Sequence, residues 1–540
     1  MITRLYGQAG LSHIRATVLA LVSGLLLAAP LLYPPLFALM WLAFVPLLIA
    51  VHRATLWQAY VWGLLSGLTL GMAAAYWIID FLMLSKGYGF MLSLVWGALF
   101  WLYTAQLPAL IILLFAWLRR RTGLHDYILF PVTTAALCAV FPLLFPFRPG
   151  ETQTEFLMAL QAAALFGVSG LDFIIALVNI MLLHALLRLS RLATLLPALG
   201  LVVAWFVYGW YWLGQWDELV ARQDTISFGL VQPNERPTLQ RSPVYPGYSR
   251  AFPPEMEMTQ RLAAAGAEIV VWPEARDKDY FQDKAVARAF TNVIDNLDIS
   301  LIFQDIESSE KGSPASPVVQ YNTAVMIAND GQEAARYRKM KRIPFGEYVP
   351  LVSDVPALRV RAENFLGEFL NEIAAGQAYE DFTTAAITMV PLICYETIFP
   401  VFVAEAVASV ARAETGPGRP GGLLLAMSSN GWFGATRQPY QHVHSAILRA
   451  VENRLPMVHV VNNGPSVVAL PHGRIIFMSP PQHAGGWLVD VPVASNFDSS
   501  FFSQYPRIFR YFLLGLLGAC IALALTRLKS PNSRRIDDRQ

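Results

Sequence analysis

Residues 391–397 read PLICYET. Ile387, Met389 and Leu392 lead into the run, which stops at a thiol, Cys394, with a carboxylate, Glu396, two places beyond. Cys394 is the only cysteine between Cys138 and Cys520, across more than half of the chain. A single thiol at the end of an apolar strand, next to a glutamate, calls for a chemical reason. The chain around that strand is of a different kind.

Of 540 residues, 55% are hydrophobic and only 14% charged, against about 25% in an ordinary soluble protein. With a mean hydropathy of +0.44, this is the composition of a polytopic membrane protein. The net charge of +2 carries no bias toward nucleic acid or an acidic partner. Apolar stretches near the ~20 residues that cross a bilayer lie at about 12–29, 35–51, 57–79, 89–118, 126–146, 157–187 and 192–214, with another at about 511–527. One such stretch alone could be a buried core helix; seven in succession could not. The first lacks a clear small-residue cleavage site and is expected to be retained rather than removed as a signal.

Orientation follows from the short basic loops. Arg4 and Arg15 precede or open the first stretch, Arg53 follows the second, Arg119, Arg120 and Arg121 the fourth, and Arg188 and Arg191 the sixth. Arg527, Lys529, Arg534 and Arg535 follow the last. All fall on one side if the N-terminus is cytoplasmic. The expected organisation is a membrane domain of about seven helices (1–215), an extracytoplasmic domain (222–495), a C-terminal span (511–527) and a cytoplasmic tail (528–540).

Between the spans the composition changes. ISFGLVQ (226–232), EIVVWPE (268–274), ISLIFQ (299–304), TAVMIA (323–328), AITMVPLIC (386–394), GLLLAMSS (422–429), MVHVVNN (457–463) and SVVAL (466–470) read as largely buried strands. Helical patterns such as SRAFPPEMEMTQRLAAAG and HVHSAILRAVENR separate several of them, the alternation of an α/β layer fold. The region 351–385 shows no clear strand and mixes apolar with charged residues. Beside a membrane it suits a lid or interfacial segment, or equally a plain surface helix.

In an extracytoplasmic domain structural cysteines pair, but Cys138 and Cys520 lie in membrane spans, so a disulfide to Cys394 is not expected. No CxxC or HxxxH suggests a metal, and His442 and His444 would point apart on a helix. Cys394 is therefore an inert buried residue or a nucleophile. A nucleophile needs a base and an oxyanion donor. None of the nine histidines stands out as that base. Glu274 ends a strand, where α/β sites form, and Lys339 lies in YRKMKRIPFGEYVP with Glu347 eight places on.

WPE (272–274), YxKxxxIPFGEYVP (337–350) and CYE (394–396), in that order, resemble the nitrilase superfamily. With spans on both sides, the chain is similar to the membrane branch of that superfamily, the apolipoprotein N-acyltransferases. YNTA (321–324), NGWFG (430–434), QHVHSAILRAVENRLP (441–456) and NNGPS (462–466) extend the likeness over most of the chain. The resemblance implies an α-β-β-α sandwich and a Glu–Lys–Cys triad, with Glu274 as general base, Lys339 as oxyanion stabiliser and Cys394 as nucleophile. Glu347, Tyr395 and Glu396 would support them. It implies ping-pong transfer of a fatty acyl chain from a phospholipid to the α-amine of a diacylglyceryl lipoprotein, at the bacterial inner membrane with the domain periplasmic. No cofactor or metal is implied, no nucleic acid, and a monomer.

The chain departs from the family's usual pattern after Glu274 (ARDKDYF), at Asn430 where an aspartate is usual, near His459 where an arginine is usual, and in 351–385. A membrane-tethered amidase or hydrolase, in which water or another amine takes the acyl group, is the second expectation. A scaffold without activity is the third, and it leaves an intact triad without explanation.

Overall fold

The protein is described by a computed structural model covering all residues except 1–11, 190–191, 237–243, 275–277, 309–318, 345, 349–372, 414–419 and 529–540. Arg4, Arg191, Lys529, Arg534, Arg535, the residues directly after Glu274, most of the lid candidate at 351–385 and the tail lie outside the described residues. The rest falls into two compact units, one drawn from 1–83, 87–214 and 505–540, the other from 84–86 and 215–504.

The first unit is helical. Among the described residues six helices are long and apolar enough to cross a membrane: His13–Leu32, Pro34–Val51, Phe90–Thr122, Ala163–Leu187, Ala193–Ala221 and Ile508–Arg527. A seventh candidate is the pair Leu56–Ala74 and Ile78–Lys86, bent by 55° at its break. The stretch expected at 126–146 is helical only over Asp126–Val140, after which the chain turns out at Phe141.

Lipid tails offer no hydrophobic drive between helices, so close backbone approach matters. Gly63, Gly67 and Gly71 recur every fourth residue, and a Cβ at Gly67 would meet the Ala105 Cα at 2.7 Å. The buried charges Arg148 and Asp172 pair with one another: Arg148 Nε donates to Asp172 Oδ2 at 2.7 Å, and Gly150 N–H donates to the other oxygen of Asp172.

The second unit is built on two sheets. Its strands are β1 (Asp224–Gln232), β2 (Ile269–Val271), β3 (Ser300–Ser308), β4 (Gln320–Ile327), β5 (Glu333–Arg338), β6 (Ile373–Ala374), β7 (Phe382–Thr383), β8 (Thr388–Ile393), β9 (Gly422–Ser428), β10 (Met457–Val461), β11 (Val467–Ala469), β12 (Ile475–Met478) and β13 (Gly485–Val493). One sheet runs β13-β1-β2-β3-β4-β5, with β6 beside β4; the other runs β12-β11-β10-β9-β8-β7. The centre of each is parallel, β1-β2-β3 and β8-β9-β10.

Alternation along each strand makes the layers. Phe228, Leu230, Ile302, Met389, Leu423, Leu425 and Val458 meet between the sheets. On the outer face of the first sheet, Val270, Leu301 and Phe303 pack on Met256, Leu262, Phe290 and Ile294 of the helices Pro254–Ala264 and Lys284–Leu297. On the outer face of the second, Leu424 and Ala426 pack on Val403, Val407, Val443 and Ile447 of Pro400–Ala413 and Gln438–Asn453. The result is an α-β-β-α sandwich. Because both faces of the central strands are covered, they read as unbroken apolar runs.

All eight runs read as strands are strands. Five strands were not foreseen: β5, β6, β7, β12 and β13. β5 (EAARYR) buries only Tyr337; β13 is broken by Asp490 and Pro492; and β12 is a run of only four apolar residues, IIFM, alternately half-buried and exposed. β6 and β7 lie within the region expected to lack strands, and at two residues each they are too short for any sequence pattern.

Candidate active site

The site lies where β2, β5 and β8 end. β8 is buried along its whole length, Thr388–Ile393, and delivers Cys394 into a 3-10 turn, Cys394–Ile398. At that junction Cys394 takes φ 51°, a left-handed conformation that costs a residue with a Cβ roughly 1–2 kcal/mol. The bend swings the thiol off the line of the strand.

β2 leads through the buried Trp272, whose indole N–H donates to Thr259 Oγ1 at 2.8 Å, to Glu274. Lys339 follows directly on β5, and its N–H donates to the Asn322 carbonyl at 2.9 Å, so that β4 sets its height. The Lys339 ammonium is buried between two carboxylates: it donates to Glu347 Oε1 at 2.8 Å and to Glu274 Oε1 at 3.4 Å. Asn322 Nδ2 also donates to Glu274 Oε1, at 2.7 Å. The second oxygen of Glu347 accepts the Ile343 N–H at 2.8 Å, which ties the loop around the lysine.

The electrostatics follow from burial and these neighbours. Burial opposes the charge on Lys339 most strongly, yet Glu274 and Glu347 together hold the ammonium above its ordinary value. For the Cys394 thiol, burial and then the Glu274 carboxylate push upward while Lys339 pulls down, and the upward push wins. A side-chain hydrogen bond to Glu274 adds to it. The resting thiol is therefore neutral, and a carboxylate stands beside it.

Glu396 joins two parts of the site. It is fully buried; Oε1 accepts from the Tyr337 hydroxyl (2.8 Å), Met340 N–H (2.7 Å) and Lys341 N–H (3.0 Å), and Oε2 from Ile393 N–H (2.8 Å). One side chain thus holds the segment after Lys339 against the strand before Cys394. Burial pushes its carboxyl up, against four hydrogen bonds that pull it down. Tyr395 is also buried, its ring edge-on to Phe399 at 4.9 Å, and burial raises its phenol.

The structure brings Glu274, Lys339, Glu347 and Cys394 into one cluster, with Glu396 bracing it and Tyr395 alongside. Sequence reasoning passed over Asn322, Tyr337 and Thr397. It named His442 only to set aside a metal role; in the structure the imidazole reaches the Cys394 carbonyl. Asn322 lies in the quoted YNTA and His442 in the quoted helical stretch, but no spacing tells which polar residue of a helix turns inward to a strand end. Among the described residues no group of histidines, cysteines and carboxylates could hold a metal ion.

Comparison with known proteins bears on both units. The carbon-nitrogen hydrolase family matches residues 214–495, and the apolipoprotein N-acyltransferase N-terminal domain matches residues 23–181. The apolipoprotein N-acyltransferase of Geobacter metallireducens is 28% identical over 535 residues, 95% of this chain and 96% of its own. That of Rhizobium etli is 33% identical over 257 residues, 47% of this chain and 45% of its own. Among solved structures, an amidase from Nesterenkonia sp. aligns with TM-score 0.34 and 17% identity, over 50% of this chain and 92% of that one.

Proposed function

Because the chain belongs to the carbon-nitrogen hydrolase family, in its membrane branch of apolipoprotein N-acyltransferases, we propose that it matures lipoproteins by ping-pong acyl transfer through Cys394. The observation that carries this reading is the buried Lys339 ammonium bridging Glu274 and Glu347 beside a neutral thiol.

In the first half, Glu274 takes the Sγ proton as the sulfur attacks the ester carbonyl of a phospholipid, and Lys339 offsets the oxyanion. Collapse breaks the ester C–O bond; the glyceryl oxygen leaves with the proton from Glu274 as lysophospholipid, and the acyl group remains as a thioester. In the second half, the α-amine of a diacylglyceryl-cysteine lipoprotein attacks that thioester. Glu274 accepts the amine proton, an amide forms, and the thiolate leaves and is reprotonated. Glu347 holds Lys339 in place, and Glu396 sets Lys339 and Cys394 relative to one another.

The basic loops argue that this unit, residues 222–495, is extracytoplasmic in a multi-pass inner-membrane protein. A thioester there must be kept from water, and apolar surroundings do so.

The test is incubation of the full chain with phospholipid alone. A hydroxylamine-labile acyl group should form on Cys394, with one lysophospholipid released per enzyme, and should be absent from Cys394→Ala. Adding a diacylglyceryl peptide with a free α-amine should discharge it into a hydroxylamine-stable amide. Continuous release of free fatty acid without an amine would make the protein a hydrolase instead.

A further inference from the structure

Behind the nucleophile lies a buried cluster that none of the steps above uses. His442, on the helix Gln438–Asn453, places Nε2 2.7 Å from Thr397 Oγ1 and 3.3 Å from the Cys394 carbonyl oxygen. The Thr397 hydroxyl donates to that same carbonyl at 3.0 Å. On its other side, His442 Nδ1 lies 3.1 Å from the Asn430 side-chain amide. The ring packs edge-to-face on His459, 4.9 Å between centroids, and His459 Nε2 meets Ser428 Oγ at 2.7 Å.

The hydrogen-bond partners of His442 carry no charge, and burial lowers the imidazole to about 4, so the ring is neutral at working pH with one N–H. If the proton sat on Nδ1, Nε2 would face the Cys394 carbonyl lone pair to lone pair. The Asn430 amino group, which has no partner as placed, would stay buried without an acceptor. With the proton on Nε2 and the Asn430 amide turned about, the amino group donates to Nδ1 and Nε2–H points at the Cys394 carbonyl and Thr397. That assignment pairs the amino group and gives the carbonyl a second donor.

The carbonyl matters because of what it belongs to. Cys394 is held at φ 51°, a conformation its side chain disfavours and that the surroundings must enforce. We propose that His442 is a positioning residue for the nucleophile: its Nε2–H, with the Thr397 hydroxyl, fixes the Cys394 carbonyl and so the left-handed backbone that aims the thiol at Glu274 and Lys339. The inference rests on Cys394 being the reacting thiol.

The experiment exploits the geometry of amides. A glutamine amide nitrogen reaches the place of Nε2, whereas an asparagine amide stops near Nδ1 and keeps only the Asn430 side. In full-length protein with Cys138 and Cys520 changed to serine, two rates are measured: alkylation of Cys394 by iodoacetamide, and release of lysophospholipid in a single turnover. His442→Gln should stay within about fivefold of its parent, the scale of one neutral hydrogen bond. His442→Asn should be slower by about 10²-fold, as for a misplacement near 1 Å, at the thermal midpoint of His442→Gln and the same half-saturating phospholipid concentration.

Equal rates for the two variants, or losses that follow the melting temperature, overturn the proposal. If His442→Asn does not fold, Thr397→Val removes the other donor; it should slow alkylation about tenfold, and a parent-like rate overturns the proposal. Alkylation needs no acyl donor. A parent that alkylates but releases no lysophospholipid therefore counts against the acyl-transfer reading alone, while the His442 comparison is still decided by alkylation.

Discussion

Replacing Lys339 with methionine removes the one cation that Glu274 and Glu347 share. Both carboxylates contact a single nitrogen, at 3.4 and 2.8 Å, so their oxygens lie within about 6 Å of each other and repel by about 3 kcal/mol at an effective dielectric near 20. That repulsion vanishes when either carboxyl takes up a proton, so removing the ammonium favours proton uptake by the folded pair. A carboxyl whose folded value lies above its unfolded one takes up its proton in the fold first. The variant therefore gains stability as pH falls and loses it as pH rises. The full swing is about 3 kcal/mol, the size of the repulsion itself.

The assay is the difference in thermal midpoint between Lys339→Met and its parent, across pH 4.5 to 8 in detergent. Taking the difference cancels Glu396, which is present in both. The gap should widen with rising pH and then level off. Adding Glu347→Gln should remove the pH dependence by removing one of the two charges. Single-turnover thioester formation should fall by about 10²–10³, the loss of one oxyanion donor. A midpoint difference constant across the range would refute the argument, because no carboxyl would then sense the missing ammonium.

Glu396→Ala leaves the Ile393, Met340 and Lys341 N–H groups and the Tyr337 hydroxyl without their acceptor, so it should destabilise by at least ~3 kcal/mol. Tyr337→Phe, which removes only one donor, should cost about 1 kcal/mol and keep thioester formation within tenfold of the parent; calorimetry on the two separates them. For topology, a reporter fused after residue 215 should be active only outside the cytoplasm and one fused after Arg535 only inside, and cytoplasmic activity from both would reject the orientation.

Some of this protein is legible without coordinates because the physics is local. A membrane span declares itself by length and apolarity, and the covered central strands declare themselves as unbroken apolar runs. Glu274 and Cys394 stand at the ends of such runs, which is why they could be singled out one at a time. Edge strands escape for the opposite reason: β5 buries one side chain of its six, yet it is the strand that delivers Lys339.

Tertiary structure alone decides what those residues meet. Glu274, Lys339 and Cys394 are far apart in the chain, and only the stacking of two sheets, each ending its strands at one place, sets an ammonium between two carboxylates beside a thiol. The left-handed turn at Cys394 cannot be read from PLICYET, because an unaided residue with a Cβ avoids it. It exists because Glu396 draws four donors together on one side and His442, from a helix 48 residues on, meets the carbonyl on the other. Such positions depend on packing that no short window of sequence contains.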